Sequence, residues 1–349
     1  MNKTPHPINP YKDQSEKAFW KSAVGCRHYS DIADLWAPMQ LRRSDRVATG
    51  GSCFAQHIGR NLALRGANFM DLEPAPPGFN DDTNAARRWG YGVFSCRYGN
   101  LYTTRQLLQL FDEAHGNRTP QDIIWEKNGR FFDALRPNID PVGQKTAQDV
   151  KNLRKLHLDA VRKMFAELDV YVFTMGLTEC WMSRHDETVF PVAPGVVAGR
   201  YDPSLHVFHN LRHSEIYKDM VSFRDRLKII NKNARILLTV SPVALAATAT
   251  DQHVLSAATY SKSTLRSVAG ELAEAFEDIH YFPSYEIISS HPARGMFFEP
   301  GLRNVNQFGV DFVMRHFFSG ALEKEFGDVT VLDEEEFESV CDESLLEQD

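Results

Sequence analysis

Apolar positions follow two rhythms along the chain. Phe54, Ile58, Leu62 and Leu64 recur at helical spacing up to about Arg65, with Gly66 where a C-cap would sit. Leu107, Leu108, Leu110 and Phe111 mark a second helix over about 103–114. Val150, Leu153, Leu156, Leu158, Val161 and Phe165 form a 3.6-residue stripe over about 146–168. Further helices are predicted at about 214–230, 254–278 and 307–323. Between them lie short apolar runs with strand character: 46–49, Val170-Tyr171-Val172-Phe173-Thr174, Ile236-Leu237-Leu238-Thr239-Val240 and Tyr281-Phe282-Pro283. Two short runs around Asn128-Gly129 predict a hairpin within 122–134. The stretches 71–100 and 182–212, rich in Gly and Pro, read as long decorated loops.

Strands alternating with helices predict an α/β domain, a mostly parallel sheet covered on both faces in three layers. The expected division is an irregular segment over 1–44 anchored by Phe19, Trp20, Tyr29 and Trp36, the α/β domain over 45–325, and an acidic tail over 326–349. From Leu332 onward the tail contains no Lys or Arg, so it is predicted to be solvated. In parallel sheets ligands bind at the carboxyl ends of the strands. Three such ends carry suggestive residues: Gly51-Ser52-Cys53, Gly176-Leu177-Thr178-Glu179 and Ser241-Pro242.

Charge narrows the function classes. The chain of 349 residues has 39 Lys plus Arg against 46 Asp plus Glu, a formal net charge of −7, which disfavours a polynucleotide partner. No Gly-x-x-x-x-Gly-Lys phosphate loop is present. No apolar run approaches the roughly 18 residues of a membrane helix, and residues 1–15 are too polar for a signal peptide. Cys26, Cys53, Cys96, Cys180 and Cys341 lack paired metal-ligand spacing and read as reduced thiols in a cytoplasmic protein with no metal or cofactor.

A nucleophile at a tight strand-to-helix turn gains from the positive end of the helix and from free N–H groups that can hold an oxyanion. Gly51 would let the backbone approach a substrate closely. Ser52 and Cys53 are both candidate nucleophiles; the alternative is that Ser52 only caps the helix and Cys53 only fills space. His57, four residues after Cys53, shares its helix face and is either a base or a core-edge residue. Glu179 follows an apolar strand, where a carboxylate is costly unless it binds something. The glycines and aromatics of residues 89–100, Gly92 and Asn100 among them, suit either a sugar ring or an ordinary packed loop.

Gly51-Ser52-Cys53-Phe54-Ala55 is the literal signature of the GSCFA family. Thr174 to Trp181, Thr239-Val240-Ser241-Pro242-Val243 and Tyr281 to Glu286 resemble that family's later blocks, so the resemblance spans about residues 45–320. The family is itself similar to the SGNH (GDSL-like) hydrolases, flavodoxin-like esterases and acyltransferases that often act on acylated carbohydrate. The resemblance implies a strand-end nucleophile, oxyanion donors from a Gly and an Asn, and a late Asp-x-x-His base. Register puts Cys53 at the nucleophile position, and a shift of one residue restores Ser52. Gly301 and Asn304 stand where the Asp and His would be, and an Asn accepts no proton at neutral pH. His291 and His57 are substitute bases, Gly51, Gly92, Gly176 and Asn100 oxyanion or substrate-binding candidates, and Glu179 and Arg303 acceptor-positioning ones. The expectation is an esterase or O-acyltransferase taking a small-molecule or oligosaccharide substrate and, in transfer, an acyl donor. The alternative is a carbohydrate-binding or polysaccharide-assembly protein that keeps the fold without the base. Oligomeric state is not readable from the sequence.

Overall fold

The computed structural model describes residues 9–79, 82–319, 321–326 and 342–347; Asn80, Asp81 and residues 327–341 of the predicted tail, Cys341 among them, lie outside it. The chain runs β1 (Val47–Gly51), α1 (Phe54–Leu64), α2 (Thr83–Arg88), α3 (Thr104–Ala114), β2 (Ile124–Lys127), β3 (Arg130–Asp133), α4 (Ala147–Glu167) and β4 (Val170–Met175). It continues through β5 (Glu179–Ser183), β6 (Val189–Phe190), β7 (His206–Asn210), α5 (His213–Ile230), β8 (Arg235–Val240) and α6 (Val254–Ala275). The last elements are β9 (Ile279–Phe282), α7 (Ser284–Ser289), α8 (Gln307–Phe317) and α9 (Ala321–Phe326).

Four strands form a parallel sheet in the order β1-β4-β8-β9. Phe69 adds a single parallel bridge to Val47 on the outer side of β1. Counting that bridge as a rudimentary second strand, the spatial order is 2-1-3-4-5, consistent with a flavodoxin-like layout. The order reverses between β1 and β4, so the switch-point crevice opens beside Gly51 and Met175.

Alternation along the strands divides the interior. Ala48, Tyr171, Phe173, Ile236 and Leu238 face a layer built from α3, α4, α5 and α6. Val47, Val170, Val172 and Leu237 face α1, α7 and α8. Capping boxes start α3 at Thr103/Gln106 and α4 at Thr146/Asp149, and the Asn306 side chain accepts from Gly309 N–H at the start of α8.

The long loop predicted over 182–212 instead belongs to a three-stranded antiparallel sheet, β6-β5-β7. These strands are too short, and too interrupted by His, Pro and Gly, to give a legible period of two. The hairpin does form, with Asn128 and Gly129 at φ 51 and 70, both left-handed as a type I′ turn requires. The helix expected to run to about 323 ends at Phe317, where Ser319 Oγ folds back onto the His316 carbonyl at 2.8 Å. In the N-terminal segment Tyr29 and Trp36 pack on the α8 side of the core, and Trp36 Nε1–H donates to the His316 carbonyl at 3.0 Å. Phe19 and Trp20 are 40% and 68% exposed, so those two predicted anchors do not hold.

Candidate active site

The end of β1 is shaped by one glycine. Gly51 has φ +129, and a Cβ there would lie 2.6 Å from Thr174 N and 2.8 Å from its carbonyl carbon. This close approach lets the Gly51 carbonyl accept from Leu101 N–H at 2.8 Å while Ser52 N–H donates to the Thr174 carbonyl at 3.0 Å. The Ser52 N–H is thereby removed from the expected oxyanion donors. Helix α1 starts at Phe54 with Cys53 as its N-cap, so Ser52 is not the helix cap. Ser52 and Cys53 are 3% and 4% exposed, and Ser52 Oγ has no hydrogen-bond partner among the described residues.

Across the crevice, Gly176 presses on the same turn: a Cβ on it would meet Ser52 Cβ at 3.0 Å. Gly176 N–H and Leu177 N–H both donate to the Tyr102 carbonyl at 3.0 Å, and the Gly176 carbonyl accepts from Lys262 Nζ at 2.7 Å. The Gly176 N–H is therefore committed to holding the Tyr102 loop rather than standing ready for an oxyanion. Tyr102, Leu177, Leu245 and Ala258 make a small apolar cluster at these strand ends. Asn100 is buried on the same loop, and its Oδ1 accepts from Gln56 Nε2 of α1 at 3.4 Å. One hydrogen bond thus connects the candidate oxyanion amide to the helix that begins at the candidate nucleophiles.

The crevice also holds the far end of the chain. Residues 342–347 form a 3-10 helix, and Asp342 and Glu343 are 4% and 7% exposed. Asp342 Oδ2 accepts from Asn100 Nδ2 at 3.0 Å, Oδ1 accepts from Asn138 Nδ2, and its N–H donates to Tyr102 Oη at 3.1 Å. Glu343 Oε2 pairs with Arg303 Nη2 at 3.2 Å, and Arg303 Nη1 donates to Asn304 Oδ1 at 3.3 Å. For Asp342 and Glu343 this departs from the expected solvation: an arginine and two amides supply what water would otherwise supply to the two carboxylates, and Tyr102 Oη accepts from the Asp342 N–H.

His57 is buried on α1 with its ring against Phe54, centroids 5.6 Å apart. Burial first, then the positive charges of Arg60 and Arg87, push its imidazole down to about 3. Such a group is neutral at pH 7 but a feeble proton acceptor. His291 is exposed, and its ring meets Trp20 edge-on at 6.4 Å. Gly92 lies on an exposed turn at φ +63 with open space about it, and no described hydrogen bond joins it to the crevice. Glu179 accepts from Thr248 Oγ1 at 2.7 Å and from Ala249 N–H at 3.2 Å, so it pins the loop after β8.

Among the sequence-predicted residues, the structure gathers Gly51, Ser52, Cys53, Gly176 and Asn100 at the switch point, and Arg303 joins Asn100 through the docked tail. It adds Gln56, Tyr102, Asn138, Lys262, Asp342 and Glu343, which the sequence reading missed. Only Lys262 left a usable signal, as a cation set among Ala257, Ala258, Ser261 and Leu265 on the buried stripe of α6. Among the described residues no helix is long and apolar enough to cross a membrane.

The model of the GSCFA family matches residues 46–317, from the start of β1 to the end of α8. No curated protein is similar enough to the chain to match it.

Proposed function

The chain belongs to the GSCFA family, and on that premise we propose that it is an SGNH-like esterase or O-acyltransferase working on acylated carbohydrate through an acyl-enzyme at Cys53. The observation that carries the reading is the placement of Ser52-Cys53 at the N-terminus of α1, at the topological switch point, on a helix whose Gln56 donates to Asn100, an amide that already holds an anionic oxygen.

The choice between the two nucleophiles is argued from the base. A serine hydroxyl needs a partner that takes its proton, and His57, pushed down to about 3, is a poor one. A thiol is the stronger nucleophile of the two, and the positive end of α1 favours its thiolate. In the proposed reaction the Cys53 thiolate adds to the ester carbonyl. Asn100 Nδ2 donates to the developing oxyanion, a contribution on the order of 10²–10³ in rate for one such donor. The C–O bond then breaks, and the alcohol leaves with the proton first lost by the thiol. Water, or a sugar hydroxyl in transfer, then adds to the thioester carbonyl, the C–S bond breaks, the proton of the attacking hydroxyl passes to solvent, and the thiolate returns as the acid or the new ester leaves.

The test is a burst assay with p-nitrophenyl acetate followed by intact-mass spectrometry of the quenched protein. One acetyl group mapped to Cys53, present in Ser52→Ala and absent in Cys53→Ala, is the expected result. Acetylation that survives in Cys53→Ala at Ser52 moves the role to the serine. A folded protein that takes no acyl group from a broad ester panel sinks the mechanism.

The second reading, a carbohydrate-binding or polysaccharide-assembly protein without chemistry, is favoured by Asn304. It stands where the resemblance places a histidine, and its side-chain oxygen accepts from Arg303 rather than from a reacting hydroxyl. Sugar binding by calorimetry with no acyl adduct is the outcome that selects it.

A further inference from the structure

Two carboxylates leave water only where they are well paired, because the desolvation penalty amounts to several kcal/mol per ion. Asp342 and Glu343 meet that condition beside the Tyr102 loop at the strand ends, where both are buried. Their partners come from three distant stretches: Asn100 and Tyr102 before α3, Asn138 after β3, and Arg303 before α8. The two amides take one oxygen each of a single carboxylate, while the guanidinium takes the neighbouring one. The Asp342 oxygen sits on the Nδ2 of Asn100, the donor the acyl chemistry requires. Tail docking and acyl transfer therefore compete for the same atom.

We infer that Asn100, Asn138 and Arg303 form a carboxylate-recognition subsite for a carboxylate-bearing saccharide, and that Asp342 and Glu343 fill it as a tethered competitor, the Asp342 N–H donating to Tyr102 Oη. The saccharide part of this statement rests on the proposed function; the subsite and its internal occupant do not. A tethered ligand acts at an effective concentration on the order of mM, so even a weakly held tail occupies the subsite in the resting chain. A free ligand then binds with its affinity reduced by the fraction of chains whose subsite is open.

Calorimetry with the full chain tests this without any turnover, so failure of the acyl reading and failure of this one are separable. The probes are digalacturonate, its neutral methyl ester, and N-acetyl-Asp-Glu-amide as a copy of the tail. The variant Asp342→Asn/Glu343→Gln removes the competitor's charge from a terminal segment and leaves the core untouched. If the tail is docked nine-tenths of the time, the variant binds digalacturonate about 10-fold tighter than the unaltered chain. The methyl ester does not bind, and adding Arg303→Met abolishes binding while Arg303→Lys retains part of it. Equal affinity of the unaltered chain and the tail variant for digalacturonate overturns the competitor. Binding of N-acetyl-Asp-Glu-amide without digalacturonate overturns the saccharide ligand and leaves a clasp for the tail. Binding of neither probe to the folded tail variant overturns the subsite.

Discussion

Replacing Gly51 by alanine concentrates the fold and the site in one methyl group. At φ +129 the residue occupies backbone space that is essentially glycine's own, and holding an alanine there costs about 1–3 kcal/mol. The added Cβ meets the nitrogen and carbonyl carbon of Thr174 at 2.6 and 2.8 Å. These are backbone atoms of the neighbouring central strand, which cannot swing aside as a side chain can. Overpacking of this kind adds about 1–3 kcal/mol. Relief comes only by parting β1 from β4, which loosens the bond from Ser52 N–H to Thr174 and forfeits about 1 kcal/mol more. The expected loss is about 3–7 kcal/mol, a large share of the roughly 5–15 kcal/mol that holds a domain together. Gly92→Ala is the control, since its φ is +63 but a Cβ there meets nothing within 4 Å. Its cost is the left-handed backbone alone, about 1–2 kcal/mol. Urea unfolding of both variants at neutral pH measures the difference. A Gly51→Ala protein no less stable than Gly92→Ala refutes the claim that the signature glycine is fixed by contact with Thr174.

Acid should weaken the protein in two stages. Burial holds His57 at about 3 and His157, beside Arg136, at about 4, so the unfolded chain takes up protons below the ordinary 6.5 that the folded chain refuses. Burial alone would raise Glu73 and Asp133, but His157 and Arg136 hold the first at about 2, and Arg154 and Arg136 hold the second at about 2. Stability is therefore full above about pH 6.5 and falls as pH drops through both ranges, so the urea midpoint should decline from about pH 7.5 to 5.5 to 4.5. An unchanged midpoint across those values contradicts the assignment of buried neutral histidines. Glu179→Ala should release the loop after β8 and speed amide exchange at Ala249 and Thr250 without abolishing the acyl adduct; loss of the adduct with unchanged exchange would instead make Glu179 part of the chemistry.

The parallel sheet was legible because its information is local. Each buried strand is a continuous apolar run, and each is followed by a helical stripe long enough to be recognised. The face each residue takes, Tyr171 towards α3–α6 and Val172 towards α1, is invisible in such a run because both neighbours are apolar. Strands β5 to β7 failed the same test for the opposite reason, since two to five residues carry too few alternations to stand out. At the site, Ser52, Cys53 and Gly176 were legible as punctuation at strand ends. The argument that Glu179 must find a partner was sound, but the partner is a hydroxyl and an N–H of its own fold. Composition misled most at the tail. A dense run of Asp and Glu reads as solvated because its neighbours in sequence offer no cation. Arg303 and Asn100, which hold its Glu343 and Asp342, lie 40 and 242 residues away.

That distance bears on the chemistry proposed for the crevice. A site that relied on an Asp-x-x-His base would want a small carboxylate and an imidazole near the nucleophile, both facing a reacting hydroxyl. Here the corresponding stretch presents a guanidinium, buttressed by the Asn304 amide and turned towards an acidic side chain. A permanent fork of positive charge serves a bound anion and takes no proton, so it cannot stand in for the base. In the proposed chemistry the proton economy then falls to the nucleophile itself, and the positive end of α1 favours a thiolate at Cys53 over an alkoxide at Ser52. Cys53 as nucleophile and Arg303 as anion holder are for this reason one argument. If acylation is found at Ser52, an unrecognised base must exist, and the role given to Arg303 has to be reopened with it.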